Sequence, residues 1–159
     1  MLRQLVNGDE NEIFALRSSD VVNKYLDRQP CKSIEDARTF IQTINEIVKK
    51  NDGIYWAITL NGNDKLIGTV CLFDFLEEKF KAEVGYELLP DFQGKGIMQE
   101  AVSKVLEFGL HHIGLKAIEA YTNSKNESSI KLLEKFNFKR HGNGDNNFII
   151  LKLTNGEEG

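Results

Sequence analysis

A glycine-rich turn that precedes a long helix is the part of this sequence best suited to chemistry. Gly94-Lys95-Gly96 follows an apolar segment and a proline, and apolar residues at helical spacing continue to about His112. The first turn of a helix presents backbone N–H groups without intrahelical partners, together with the positive end of the helix dipole. Because glycine lets the backbone approach a ligand closely, this turn predicts a binding site for a phosphate or diphosphate group.

Three other interpretations of the turn have less support. A P-loop needs a Ser or Thr hydroxyl to hold magnesium, but Ile97 follows Gly94-Lys95-Gly96. A dinucleotide-binding fingerprint needs a small third residue, where this sequence has Gln99, and a position after the first strand of a parallel sheet. A turn that only caps the helix has no need of a cation between two glycines. A phosphate-binding turn of another type is therefore favoured over these two motifs and over a purely structural turn.

The elements around the turn predict a mostly antiparallel sheet. The predicted strands are Leu2–Val6, Ile54–Leu60, Leu66–Asp74, Lys81–Leu89, Lys116–Thr122, Phe138–His141 and Phe148–Leu153. The second, third and fourth strands are joined by connections too short for a crossover, so we expect them to pair antiparallel. A long helix joins the fourth strand to the fifth, which predicts one parallel pair with a right-handed crossover.

Apolar residues at helical spacing predict about four helices. They are Asp9–Arg17, a segment from Ser33 to about Lys50, Gly94–His112 and Glu127–Phe136. The predicted fold class is α+β, with a mixed, mostly antiparallel sheet of six to seven strands flanked by these helices. The sequence contains no internal repeat or linker, so we expect a single domain over residues 1–159.

Composition narrows the classes of function. The formal net charge of −4 argues against binding to nucleic acid that depends mainly on electrostatic attraction. The cysteines Cys31 and Cys71 are far apart, and His111-His112 diverge on a helix, so neither a disulfide framework nor a metal site is expected. The sequence has no apolar run near the ~18 residues of a membrane helix and no signal-peptide pattern. We expect a cytoplasmic protein that has no membrane partner. The sequence leaves open whether the protein forms a homodimer.

Two motifs resemble those of the GNAT superfamily of N-acetyltransferases. Gln93-x-x-Gly96-x-Met98, between a strand and a helix, is similar to that superfamily's coenzyme A loop. The segment from Asn126 to Phe138 resembles its second motif, an Asn-x-x-Ala/Ser helix that ends in Gly-Phe, with Asn137 in place of the glycine. The residues of the two motifs and the spacing between them most resemble those of the RimJ/RimL-like branch. That branch is known for acetylating N-terminal amines of ribosomal proteins.

The resemblance implies a GNAT fold that binds acetyl-CoA, with specific residues at the cofactor. The implied cofactor-binding residues are Leu88, Leu89, Gln93, Gly94, Lys95, Gly96, Ile97, Met98, Asn126 and Ser129. The strand before the loop is expected to diverge from its parallel neighbour and to hold the pantetheine arm through free backbone groups. Leu133 stands where many members have a tyrosine that protonates the leaving thiolate, so Ser129 is the candidate substitute donor.

A direct transfer from the thioester to an amine also needs a proton acceptor. Along the strand that precedes the loop, Glu83 and Glu87 share one face, because side chains alternate along a strand. An acid in an apolar strand needs water or a partner. The superfamily often places its base on this strand, so Glu83 is the first candidate, with an ordinary ion pair as its alternative. Glu119 is the second candidate.

The cost of deprotonation bears on the acceptor. At pH 7 a lysine amine with a pKa near 10.4 costs roughly 4.6 kcal/mol to deprotonate, whereas an α-amine with a pKa near 7.8 costs only about 1 kcal/mol. This cost is consistent with a protein N-terminal α-amine, which is the acceptor class that the RimJ/RimL-like resemblance implies. The alternatives are a small amine (a polyamine, an amino acid or an aminoglycoside), a non-catalytic acyl-CoA-binding module, or a dinucleotide-binding protein. Glu77 and Glu78 are interpreted as a solvated loop that could attract a cationic acceptor.

Overall fold

The protein forms one seven-stranded sheet. The computed structural model describes residues 1–76, 80–145 and 147–155, so Glu77 and Glu78 lie outside the described residues. The strands are β1 (Leu2–Gln4), β2 (Gly53–Leu60), β3 (Asn63–Leu76), β4 (Lys81–Leu88), β5 (Ala117–Asn123), β6 (Lys139–Asn143) and β7 (Phe148–Thr154). Their order in the sheet is β1-β2-β3-β4-β5-β7-β6. The predicted α+β class and the strand count are confirmed.

Five α-helices flank the sheet within the described ranges. They are α1 (Glu10–Ser18), α2 (Asp20–Asn23), α3 (Ile34–Lys49), α4 (Ile97–Glu107) and α5 (Glu127–Lys135). The short helix α2 was not predicted, because four residues are too few to show a helical period. Its signal in the sequence was Ser19, whose Oγ accepts a hydrogen bond from the Val22 amide at 3.3 Å and caps the helix.

Two apolar cores lie on opposite faces of the sheet. On the α4–α5 face, Val102 and Val105 of α4 and Leu133 of α5 pack against alternate residues of the central strands. On the α1–α3 face, Ile13 and Leu16 of α1 and three residues of α3 pack against Ala57 and its neighbours. The sheet is therefore covered on both sides.

The parallel pair β4–β5 is short and then diverges. Its paired residues are Lys81 with Ala117, Ala82 with Ile118 and Glu83 with Glu119. Beyond them β4 stays paired with β3 up to Leu88, while β5 stays paired with β7 up to Asn123. The predicted parallel crossover and the predicted divergence are both present, and a gap opens between the two strands beyond Glu83.

The helix predicted over Gly94–His112 has different ends in the structure. It begins at Ile97, because Gly94 and Gly96 have positive φ angles of 76° and 81°. After Glu107 it widens into a π-helical turn, Phe108–Ile113. Gly109 makes this turn possible: a Cβ there would lie only 3.1 Å from Leu72 Cδ1. The helix can therefore approach the sheet closely at this point.

Candidate active site

The glycine turn forms an uncapped helix N-terminus beside the gap. No side-chain hydrogen bond caps α4 at Gly96, and the first intrahelical bond runs from the Glu100 amide to the Gly96 carbonyl at 3.1 Å. The amides of Ile97, Met98 and Gln99 therefore have no partner within the helix. A Cβ added at Gly94 or Gly96 would meet no atom within 4 Å, so the space in front of the turn is open. These features fit a diphosphate group.

The side chains of the glycine turn leave the space in front of the α4 N-terminus open. Met98 and Ile97 pack against the core of the α4–α5 face, so the larger residue at position 98 turns inward and leaves the loop accessible. Lys95 is exposed, and its Nζ lies 5.9 Å from the centre of the Phe92 ring. Its charge is free to meet an anionic ligand in front of the turn.

The backbone of β4 faces the gap at alternate residues. The Leu89 amide donates to the Ile67 carbonyl of β3 at 2.9 Å, so the polar groups of Leu88 and Tyr86 point to the opposite side, toward the gap. Gln93 Nε2 donates to the Leu88 carbonyl at 2.9 Å and ties the glycine turn to the strand. The groups best placed to bind an extended ligand are the Leu88 amide and both backbone groups of Tyr86, rather than those of Leu89.

The second predicted motif is organised by Asn126. Its Oδ1 accepts a hydrogen bond from the Ser129 amide at 3.2 Å and so caps α5 at the mouth of the gap. At the other end of the helix, Asn137 has a φ of 70°, the left-handed conformation that glycine adopts readily and that asparagine tolerates better than most residues. Leu133 is fully buried, so its position contributes packing and no hydroxyl.

A hydroxyl pair spans the gap. Tyr86 of β4 and Ser129 of α5 place their side-chain oxygens 2.6 Å apart. The Tyr86 ring packs against the core of the α4–α5 face, and burial raises the pKa of Tyr86 to about 12. A phenol with so high a pKa stays protonated at neutral pH, so it remains a hydrogen-bond donor. The sequence pointed to Ser129 but missed Tyr86, because nothing local marks a tyrosine of β4 as the partner of α5.

Glu83 lies at the last paired position of β4 and β5. Its side chain is half-buried, and no hydrogen bond or ion pair to another described residue engages it. Burial raises the pKa of Glu83 to about 7, with smaller contributions from the nearby carboxylates of Asp74 and Glu119. A carboxylate with a pKa near 7 is suited to accept a proton at neutral pH.

Glu119, the second candidate base, has a different environment. Its buried carboxylate lies 3.2 Å from the ammonium group of Lys81. Lys81 is the first residue of β4 that pairs with β5, two positions before Glu83. The Glu119 carboxylate is thus engaged by a cation, whereas Glu83 has no such partner among the described residues. This contrast favours Glu83 as the candidate base.

A charged cluster on the α1–α3 face was not predicted. Glu87 of β4 meets Arg28 Nη1 at 2.7 Å and Arg17 Nη1 at 3.6 Å. Arg28 belongs to the connection between α2 and α3, and Arg17 to α1. The sequence does show Glu87 on the same strand face as Glu83, but it gives no sign of which cations would meet it.

The comparisons with known proteins decide the family. A family model described as an acetyltransferase (GNAT) domain matches residues 1–139 of the chain. The chain belongs to the GNAT acetyltransferases. As a member it is an N-acetyltransferase, and the GNAT fold uses acetyl-CoA.

A curated relative agrees with this assignment. The chain is 35% identical over 142 residues to the uncharacterized N-acetyltransferase YoaA of Bacillus subtilis, which covers 89% of this chain and 80% of that protein. The motifs that carry the resemblance lie within a match of this extent, so the predicted GNAT membership is confirmed.

Solved structures show the same fold. The ribosomal-protein-S5-alanine acetyltransferase from Vibrio fischeri superimposes with a TM-score of 0.83 at 22% identity, over 98% of this chain and 93% of that one. Spermidine N-acetyltransferase from Vibrio cholerae, in complex with CoA and spermine, gives a TM-score of 0.80 at 21% identity, over 96% and 92%. The RimJ/RimL-like resemblance thus agrees with the fold, while these neighbours act on different acceptors.

The described residues also bear on two other classes of site. Within the described ranges, none of the helices combines the length and the apolar character that a membrane crossing requires. In the same residues, no three His, Cys, Asp or Glu side chains come together as a metal-binding group.

Proposed function

We propose that this GNAT enzyme acetylates the α-amine at the N-terminus of a peptide or protein, with acetyl-CoA as donor. The observation that carries the proposal is the position of Glu83 where β4 and β5 diverge, an acid that has no ion-pair partner among the described residues and a pKa raised to about 7. Around it, the uncapped α4 N-terminus and the Tyr86–Ser129 pair occur together at one gap.

Several residues of the chain would hold the donor. The amides at the α4 N-terminus and Lys95 would bind the diphosphate, and the outward backbone groups of Tyr86 and Leu88 would bind the extended arm. When bound, acetyl-CoA supplies an activated acetyl thioester. The residues of the gap then have two tasks: they deprotonate the amine and stabilise the leaving sulfur.

Glu83 performs the first task. It takes the proton from the acceptor ammonium, which frees the nitrogen lone pair to form the new N–C bond. An α-amine with a pKa near 7.8 differs by less than one unit from Glu83, so this transfer is nearly balanced. A lysine amine with a pKa near 10.4 would make the same transfer unfavourable by about 4.6 kcal/mol. This match supports the α-amine.

Ser129 and Tyr86 perform the second task. The Ser129 hydroxyl lies in the first turn of α5, and Tyr86 fixes it at 2.6 Å. When the C–S bond of a bound thioester breaks, the electron pair would remain on sulfur, and the second proton that the nitrogen loses on becoming an amide would neutralise the thiolate. We assign this hydroxyl pair to donate a hydrogen bond to the sulfur. Tyr86 thus provides from β4 the hydroxyl that is missing at Leu133.

A thiol-release assay tests the function. Wild-type protein with acetyl-CoA should release thiol with peptides that carry a free N-terminus, and Glu83→Gln should lower kcat by on the order of 100-fold or more, the effect of losing a general base. The rate of the wild type should rise with pH through about 7, as Glu83 loses its proton.

Glu46→Gln is the matched control, since it removes an exposed carboxylate from α3 and should leave the rate unchanged. Release of thiol with diamines but not with peptides would assign a small-amine acceptor instead. If no amine releases thiol although acetyl-CoA binds, the catalytic proposal fails.

A further inference from the structure

The arginine cluster (Arg17, Arg28 and Glu87) has more positive than negative charge. Two guanidinium groups face one carboxylate: Arg28 Nη1 lies 2.7 Å from Glu87 Oε2, and Arg17 Nη1 lies 3.6 Å from Glu87 Oε1. All three side chains are largely buried, with exposed fractions of 11–19%. An excess of buried positive charge is costly unless an anion or an oxygen acceptor compensates for it.

Arg28 also has an unused donor. Its Nε donates to Asn23 Oδ1 at 2.9 Å, and its Nη1 pairs with Glu87. Its Nη2 is buried and has no hydrogen-bond partner among the residues that the structure describes. Buried donors are nearly always paired in folded proteins, so this guanidinium N–H can donate to an oxygen acceptor that the described residues do not supply.

The cluster lies along the route of an acceptor. Glu83 and Glu87 are four residues apart on one face of β4, which places their Cα atoms about 13 Å apart. An extended peptide rises by about 3.3–3.6 Å per residue, so four residues span the same distance. An acceptor whose amine lies at Glu83 can therefore follow β4 and bring one of its first carbonyl groups to the arginine cluster.

We infer that Arg28, held by Glu87 and Arg17, forms a subsite for a backbone carbonyl oxygen within the first four residues of a peptide acceptor. This inference rests on the proposed function and names how the acceptor is selected. Arg28 belongs to the connection between α2 and α3, which has no helix or strand of its own. Because Nη2 is buried, binding of the peptide would require this connection to move away from it. A free amino acid is too short to reach from Glu83 to Arg28. A polyamine would bring further positive charge to the cluster and be repelled.

Peptide length is the variable that tests the subsite. Amidated peptides of one to four residues with the same first residue, and the diamine butane-1,4-diamine, are compared by thiol release with saturating acetyl-CoA. For the wild type, KM should fall as the peptide lengthens. Arg28→Gln should raise KM for the tetrapeptide about tenfold or more and keep kcat within about twofold. The same variant should leave KM for the diamine unchanged or lower it.

Two further variants serve as controls for this result. Lys24→Gln removes an exposed cation from the same region and should change neither KM. Arg28→Lys keeps the charge and a contact with Glu87 but lacks the fork, so its KM for the tetrapeptide should lie between those of wild type and Arg28→Gln. Unchanged binding of acetyl-CoA and an unchanged unfolding midpoint show that each variant is folded.

Other outcomes overturn the inference. Equal increases in KM for the tetrapeptide and the diamine mean that Arg28 only supports the fold, and unchanged KM values mean that it contacts no acceptor. Turnover of the diamine but of no peptide removes the subsite and leaves the acetyltransferase in place. Turnover of neither refutes the proposed function and the subsite together.

Discussion

The two faces of β4 are built in different ways. On the α4–α5 face, Val84, Tyr86 and Leu88 pack against the core, and the glycine turn and α4 follow directly in the chain. On the α1–α3 face, Glu87 is joined by Arg17 and Arg28, which lie more than fifty residues earlier. The first face is specified by contiguous sequence and the second by distant segments.

This difference separates the binding of the cofactor from the selection of the acceptor. Diphosphate binding needs only backbone amides and open space, which a short glycine turn supplies. Selection of an acceptor needs charges placed at defined distances, and these come from whichever segments the fold brings together. Substitutions at the glycine turn should therefore affect cofactor binding, and those in the arginine cluster should affect the acceptor.

The largest effect on cofactor binding is expected at the glycine turn. Gly96→Asp places a carboxylate where a diphosphate would lie, and two like charges about 5 Å apart repel by about 3 kcal/mol at an effective dielectric constant of about 20. Acetyl-CoA should bind roughly 100-fold more weakly by isothermal calorimetry. The wild-type protein provides the reference affinity.

Gly62→Asp is the matched control. Gly62 has the same φ of 81° and equally open surroundings, but it lies in the hairpin turn between β2 and β3. Both variants have similar backbone strain, so only the location differs. Equal losses of affinity would show that strain, and not charge at the turn, weakens binding.

A smaller effect, on kcat, is expected at the Tyr86–Ser129 hydroxyl pair between β4 and α5. Tyr86→Phe and Ser129→Ala should each lower kcat about tenfold, since each removes one hydrogen bond of about 1.5 kcal/mol, and neither should alter the affinity for acetyl-CoA. Because the two hydroxyls act as a pair, the double variant should lose little more than either single one.

Tyr121→Phe is the control for this pair, because Tyr121 is 46% exposed on β5. Additive losses in the double variant would show that the two hydroxyls act independently. An unchanged rate for Tyr86→Phe would limit Tyr86 to packing.

A further effect concerns protein stability. Because the folded protein raises the pKa of Glu83 from 4.5 to about 7, the folded state holds its proton more tightly than the unfolded state. The stability linked to this proton is present below about pH 4.5 and is lost as the pH rises to about 7. Glu83→Gln removes this dependence, so its unfolding midpoint relative to wild type should be higher at about pH 8 than at about pH 4.

Thermal unfolding at the two pH values measures the shift. Glu46→Gln, with its exposed carboxylate, should show no such difference between the acidic and the alkaline buffer. A constant offset for Glu83→Gln would mean that the carboxyl titrates at its ordinary pKa in the fold, and the pH-rate profile of the enzyme would need another source.

Much of the fold was predictable from local pattern. The antiparallel pairing of β2, β3 and β4 and the parallel crossover to β5 followed from connection lengths, because short connections permit only antiparallel neighbours. The ends of α4 were not predictable to the residue, because the positive φ angles of Gly94 and Gly96 delay its start and the packing of Gly109 against the sheet widens its end. A helical period in the sequence does not report such contacts.

The sequence by itself determined the family, the glycine turn that we propose as the diphosphate site, and the acids of β4, because each depends on neighbours within a few residues. Only the tertiary structure decided that Glu119 meets Lys81 while Glu83 meets no cation among the described residues, that Tyr86 meets Ser129, and that Arg28 reaches Glu87. These properties depend on desolvation and on distances between side chains from separate elements. Such quantities exist only once the chain has folded.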